Sequence, residues 1–541
     1  MKKNVILKYF LIFSLCLLFV LTGSAYLFSQ ESSSSPGPSD VLSSFPVYNV
    51  LDFGAVGDST TLNTKAIQRA IDTAAKAGGG TVYFPLGDYL TGTVKLADNI
   101  TLYVDNGATL WGSNNLEHYN KEKAHLIWGE NSKNIVITGH GKIDGNGPRF
   151  WDNGRLQKWY SGEIPWERPS HMITFYNCEN IVLQDIDIFN GGFWNVSMND
   201  CNRITIRAVT MRNGVYEDDG PNTDGINMWN CNKIQISDCD IITGDDCLVV
   251  LGDSRDVTIT NCKLQSTETC LMISGVRNLT FSNSTIHDSG CGVGFRVWEG
   301  IMVDGVVIDN IVMDVTDRYK GGGTGFYIWS FPLYVESNDE IPKDKPLPPG
   351  GTMKNIMFSN SVVSANGLVC VNGEENEYVD GLTFNNVKFH MYGNKDSHLN
   401  ESPPYPFPIY GHHSSPYSLF FRHVKNLKLK DVEIEWNTPE KAEWGSALRC
   451  WKVDGLELDG FSARQSLGSN KAAISLKNVD EAFVHNCLAP EGTGTFLSIE
   501  EGSTNITLMS NDLSRAKLMY SIKPGIDKKS VFKTGNRRPG K

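Results

Sequence analysis

Glu179-Asn180-Ile181-Val182-Leu183-Gln184 is followed by Asn202-Arg203-Ile204-Thr205-Ile206-Arg207, Asn232-Lys233-Ile234-Gln235-Ile236-Ser237 and Arg255-Asp256-Val257-Thr258-Ile259-Thr260. These are copies of one phrase, in which aliphatic residues alternate with polar ones. That period of two is the mark of a strand with one buried face. Further copies begin at Lys133, Arg277, Lys354, Asp380, Lys425, Asp454 and Thr504. Where copies follow most closely, Ile181 to Ile204 and Ile234 to Val257 to Leu279, the first aliphatic residues stand 22 or 23 positions apart. This is the length of one β-solenoid coil. The repeat predicts an all-β chain folded as a right-handed parallel β-helix, the hand that parallel crossovers take.

Helical spacing is clear in one place only. From Thr64 to Ala77, the residues Ala66, Ile67, Ala70, Ile71 and Ala74 make an apolar stripe that stops at Gly78-Gly79-Gly80. This short N-terminal helix is expected to cap the first coil, because an open solenoid edge would template aggregation. Residues 331–351 and 394–415 break the rhythm with proline and charge and read as long loops that wall a cleft.

Upstream, Lys2, Lys3 and Lys8 precede the apolar run Phe10 to Leu21 and the small residues Gly23, Ser24 and Ala25. Residues 1–25 are therefore expected to be a signal peptide, with an uncleaved membrane anchor as the alternative. Residues 26–46 are a Ser/Pro-rich linker, and 47–541 form the β-helix domain. The expected destination is outside the cell or the periplasm.

With 49 basic and 61 acidic residues among 541, the formal charge is -12, which argues against nucleic acid or an anionic membrane as partner. Eleven cysteines follow the signal, without paired CxxC zinc spacing. Cys178, Cys201, Cys231, Cys239, Cys247 and Cys262 each follow Asn or Asp, which suggests one repeated structural position. An oxidising compartment leaves room for one or two disulfides. No P-loop, nucleophile elbow or metal motif stands out, and neither a cofactor nor a metal is expected.

Chemistry concentrates in Asn222-Thr223-Asp224-Gly225 and Gly244-Asp245-Asp246-Cys247. Asp245 and Asp246 lie 21 and 22 positions after Asp224, so one coil stacks them beside it. Each motif alone is an ordinary turn sequence. Stacked, they bring three carboxylates together, and such a set cannot ionise fully near neutral pH. It would supply both the acid and the base that an inverting glycosidase holds at roughly 6.5 to 9.5 Å separation. A calcium site made from the same carboxylates is the competing reading.

These motifs resemble those of glycoside hydrolase family 28, the polygalacturonases. The likeness also runs through Asn49-Val50-Leu51-Asp52-Phe53-Gly54-Ala55, Gly80-Thr81-Val82-Tyr83-Phe84-Pro85, Gly141-Lys142-Ile143-Asp144-Gly145-Asn146-Gly147 and Arg168-Pro169. The resemblance implies a pectin-type acidic polysaccharide or oligosaccharide as substrate. It makes Asp245 the general acid, with Asp224 and Asp246 activating water. Three family features are altered. The Gly-His-Gly that polygalacturonases carry is replaced by a stretch containing Glu268-Thr269-Cys270, Arg-Ile-Lys becomes Arg296-Val297-Trp298, and a lysine often found after the second motif is Leu251.

Asn222, Arg296 and Trp298 are the candidate substrate-binding residues. Arg296 suits a carboxylate and Trp298 a sugar face. His171 and His287 are the nearest histidines and read as structural, while Trp151, Trp159, Trp166, Trp194, Trp229 and Trp329 gather around the same coils. The chain is expected to act as a monomer. A β-helix polysaccharide lyase and an inactive carbohydrate-binding solenoid are the alternatives, since the fold hosts all three activities.

Overall fold

The computed structural model describes residues 46–151, 167–214, 220–316, 324–331, 350–366, 369–392, 416–437 and 444–538. The expected signal peptide and nearly all of the linker lie outside these residues, as do Trp159, Trp166 and almost all of the two long loops. Every strand pairing among the described residues is parallel, and the chain winds as a right-handed β-helix.

The repeated phrase sets the register. Ile135, Ile181, Ile204, Ile234, Val257, Leu279, Val306, Ile356 and Leu382 are successive partners along one ladder. All nine are buried. Each coil thus places an aliphatic side chain on the one below, and the stack forms a continuous core. Parallel pairing in a closed coil satisfies the backbone while one face of each strand excludes water. The intervals from Ile204 to Ile234 and from Val306 to Ile356 exceed one coil length, yet the pairing keeps both in step on the ladder.

The polar residue before each aliphatic has its own task. Asn134, Asn180, Asn278, Asn355, Asn426 and Asn505 all sit at positive φ, between 52° and 61°. Asparagine tolerates this left-handed bend better than most side chains. Its amide also bonds along the stack: Asn180 Nδ2 donates to Asn134 Oδ1 at 2.8 Å, and Asn278 Nδ2 to Asp256 Oδ1 at 3.0 Å.

The one α-helix among the described residues covers Thr64–Lys76 and buries Ala66, Ile67, Ala70, Ile71 and Ala74. It packs on the strands Val47–Asn49, Gly80–Phe84, Val94–Lys95 and Ile100–Val104, as the capping role requires.

The cysteines do not share one position. Cys178, Cys201 and Cys231 follow one turn, Cys239 and Cys262 another, and Cys247 precedes the strand Leu248–Thr260. The thiols of the first five donate to the carbonyl two residues back, at 3.2 to 3.3 Å. A left-handed Asn or Asp followed by a small buried donor suits any turn of the coil, so the same dipeptide recurs at different corners. All eleven cysteines from Cys178 to Cys487 are free and buried.

Candidate active site

The turn that carries Asn222, Thr223 and Asp224 feeds the strand Ile226–Trp229, and the turn with Asp245 and Asp246 feeds Leu248–Thr260. These strands pair directly, Ile226 with Leu248, and Gly225 N donates to Asp246 O at 2.8 Å. Asp224 and the two later aspartates therefore occupy adjacent coils. The glycines in both motifs answer to close approach. A Cβ on Gly225 would lie 2.3 Å from Cys247 O, and one on Gly244 would lie 2.4 Å from Gly220 O.

Hydroxyls hold the turns together. Gly244 N donates to Thr223 Oγ1 at 3.1 Å, while Thr243 Oγ1 and Ser266 Oγ both donate to Asp245 O, at 2.5 and 2.7 Å. Asp246 accepts Thr269 N at 2.9 Å from the next coil, and Asp245 Oδ1 accepts Asp246 N at 2.9 Å.

The carboxylates are raised together. Burial and then the charges of Asp245 and Asp246 push Asp224 well above the usual carboxylate range. Burial, followed by repulsion from Glu268, raises Asp245. Burial and the Asp245 charge raise Asp246, while Arg296 draws both Asp245 and Asp246 down. The three titrate as a unit that keeps at least one proton near neutrality. Asp245 is the least enclosed: Asp224 and Asp246 are buried outright, whereas Asp245 reaches the surface.

Asn222 is engaged with the protein. Its Oδ1 accepts Arg168 Nη2 at 2.8 Å and its Nδ2 donates to Asp245 Oδ2 at 3.3 Å. Arg168, quoted above only as part of a collinear stretch, is 2 % exposed and also donates to Pro221 O at 2.8 Å. A single arginine before a proline carries no periodic signal, so its role shows only in three dimensions.

Arg296 lies on the strand Cys291–Trp298, two pairings along from Leu248–Thr260. Trp298 shares its outward face, since residues two apart point the same way. Trp298 packs on a second apolar cluster outside the coil that includes Val249, Met272 and Phe420.

The other aromatics divide. Trp229 is 44 % exposed at an outward position of its strand. Trp151 Nε1 donates to Gly191 O at 3.0 Å, and its ring meets the backbone at Gly147 and Gly220. Trp194 stacks against both His171 and Phe193, with centroids 4.6 and 5.4 Å away, and those two rings lie 5.5 Å from each other. Asn195 N donates to Asp224 O at 2.9 Å, so this stack flanks the carboxylates on the N-terminal side. Burial and then the neighbouring His125 hold His171 down at about 3, as a neutral ring. His287 is at the surface, 3.9 Å from Asp288.

This geometry has relatives. A probable polygalacturonase of Vitis vinifera is 32 % identical over 210 residues, 35 % of this chain and 41 % of that protein. An exopolygalacturonase of Zea mays is 31 % identical over 215 residues, 38 % of this chain and 48 % of that protein. The chain thus spans less than half the length of these two relatives. The solved family 28 exopolygalacturonase of Yersinia enterocolitica shares the fold, with a TM-score of 0.56 and 18 % identity over 76 % of this chain and 78 % of that one. The pattern of glycosyl hydrolases family 28 matches residues 81–404, more than half of the sequence, and the chain belongs to that family.

Proposed function

We propose that the protein is an exported glycoside hydrolase that cleaves an acidic, pectin-type polysaccharide with inversion, using Asp224, Asp245 and Asp246 and no cofactor. The observation that carries this reading is the in-register pair of turns, which brings three carboxylates together on adjacent coils, two of them buried, where burial and mutual repulsion raise them. Asp245, the most accessible, gives its proton to the leaving glycosidic oxygen. Asp224 and Asp246 orient a water and take its proton as the oxygen attacks the anomeric carbon and the old C–O bond breaks. The proton taken from water leaves Asp224 and Asp246 for solvent as Asp245 regains one, so each cycle restores the starting protonation. Arg296 and Trp298 line the substrate groove, and Asn222 holds Asp245 in position.

The test is Asp245→Asn, assayed on pectic polysaccharides for new reducing ends and for unsaturated-product absorbance. Wild type should release reducing ends without that absorbance, and the variant should lose at least about 100-fold of turnover. Wild-type turnover in D245N would sink the assignment. Absorbance that a chelator abolishes would identify a lyase, and binding without product a non-catalytic solenoid.

A further inference from the structure

Glu268 stands at the position where the chain leaves the polygalacturonase pattern. Leu248 pairs with Leu271, so the register sets Asp246 against Thr269 and Asp245 against Glu268 on the next coil. The backbone there is pinned: Glu268 N donates to Ser266 Oγ at 2.8 Å, and the same hydroxyl holds Asp245 O. Cys291 N donates to Glu268 O at 2.6 Å. The charge of Glu268 acts on both Asp245 and Asp246, and Arg296 acts on the same two with opposite sign. The positive charge that would welcome a uronate is therefore offset where it operates.

On the other side of the carboxylates, Asn227 on the strand Ile226–Trp229 is 2 % exposed, and its amide draws Asp224 down.

We propose that Glu268 is a specificity-determining residue that reserves the subsite beyond Asp245 for a sugar without a free carboxylate. This deepens the hydrolase reading and rests on it: the polymer is acidic overall, but the uronate at the cleavage point is esterified.

The test compares free-acid and fully methyl-esterified galacturonide oligosaccharides of one length, with wild type, Glu268→Gln, Glu268→Asp and D245N. One added charge at about 6 Å in an effective dielectric of about 40 changes binding about tenfold. Wild type should therefore cut the ester at least about tenfold better in kcat/KM. E268Q should lower that ratio about tenfold, mainly through KM on the free acid, and salt should shrink the difference. E268D, which keeps the charge, should retain the wild-type ratio.

A wild type that prefers the free acid would overturn the proposal. So would an E268Q that cuts the ester with an unmoved ratio, or one that cuts neither substrate. In all three cases the hydrolase reading stands if wild type turns over and D245N does not. Wild type that cuts neither substrate overturns the hydrolase reading itself.

Discussion

Replacing Arg168 with methionine keeps most of the buried volume and removes the guanidinium. That group holds Pro221 O and Asn222 Oδ1 at 2.8 Å each and Gly192 O at 3.4 Å, and it stacks on Phe193 at 4.4 Å from the ring centroid. It thereby ties the turn before Asp224 to the preceding coil. Each of the two short bonds comes from a charged donor and is worth about 1.5 to 3 kcal/mol. Their loss should cost about 3 to 6 kcal/mol, which lowers the melting temperature of a chain this long by about 3 to 6 °C. The catalytic effect should be larger in proportion. Asn222 would no longer be held, and its 3.3 Å contact with Asp245 would be lost. A misplacement of about 1 Å in a catalytic group costs about 100-fold. The expected outcome is a fall of about 100-fold in kcat with a smaller change in KM, measured by reducing-end release and paired with thermal unfolding. Arg168→Lys should fall between wild type and R168M, since one ammonium cannot span both acceptors. A folded R168M with kcat within about threefold of wild type would refute the claim that this arginine positions the acid.

The pH dependence of stability gives a second prediction. Burial and the Asp245 charge push Asp246 up to about 7. A carboxylate whose folded value lies above its unfolded value of about 4 makes the protein less stable as pH rises between the two. Asp246→Asn should therefore raise the melting temperature more at pH 8 than at pH 5, and equal shifts at both would contradict the shared burial of charge. A third prediction concerns the turn ladder. Asn180→Ala puts a residue that tolerates the left-handed bend less well than asparagine there and breaks the 2.8 Å bond to Asn134, at about 2 kcal/mol. Asn180→Gly relieves the bend and should cost about 1 kcal/mol, so denaturant titrations that rank glycine below alanine would refute the conformational argument.

The sequence by itself determined the winding of the chain and the grouping of the three aspartates. Both follow from a short-range regularity. An aliphatic residue every 22 or 23 positions must stack on its predecessor, and Asp224 must then fall beside Asp245 and Asp246. The capping helix was legible for the same reason, since its stripe repeats within a few residues.

The cysteines occupy more than one position, because neighbouring turns of one coil use the same Asn-Cys or Asp-Cys spelling for the same local bend. Contacts that depend on where side chains from different coils end were decided only by the tertiary structure. Arg168 reaches Asn222 from 54 positions away, and Trp194 stacks on His171 across a coil. Asn227 is buried beside Asp224, whose carboxylate it draws down. Glu268 was visible as a departure from a pattern, but its charge acquired meaning only when the register set it against Asp245. Periodic burial is written along the chain, whereas the electrostatics of a groove depends on distances between coils, and those exist only once the coils have closed.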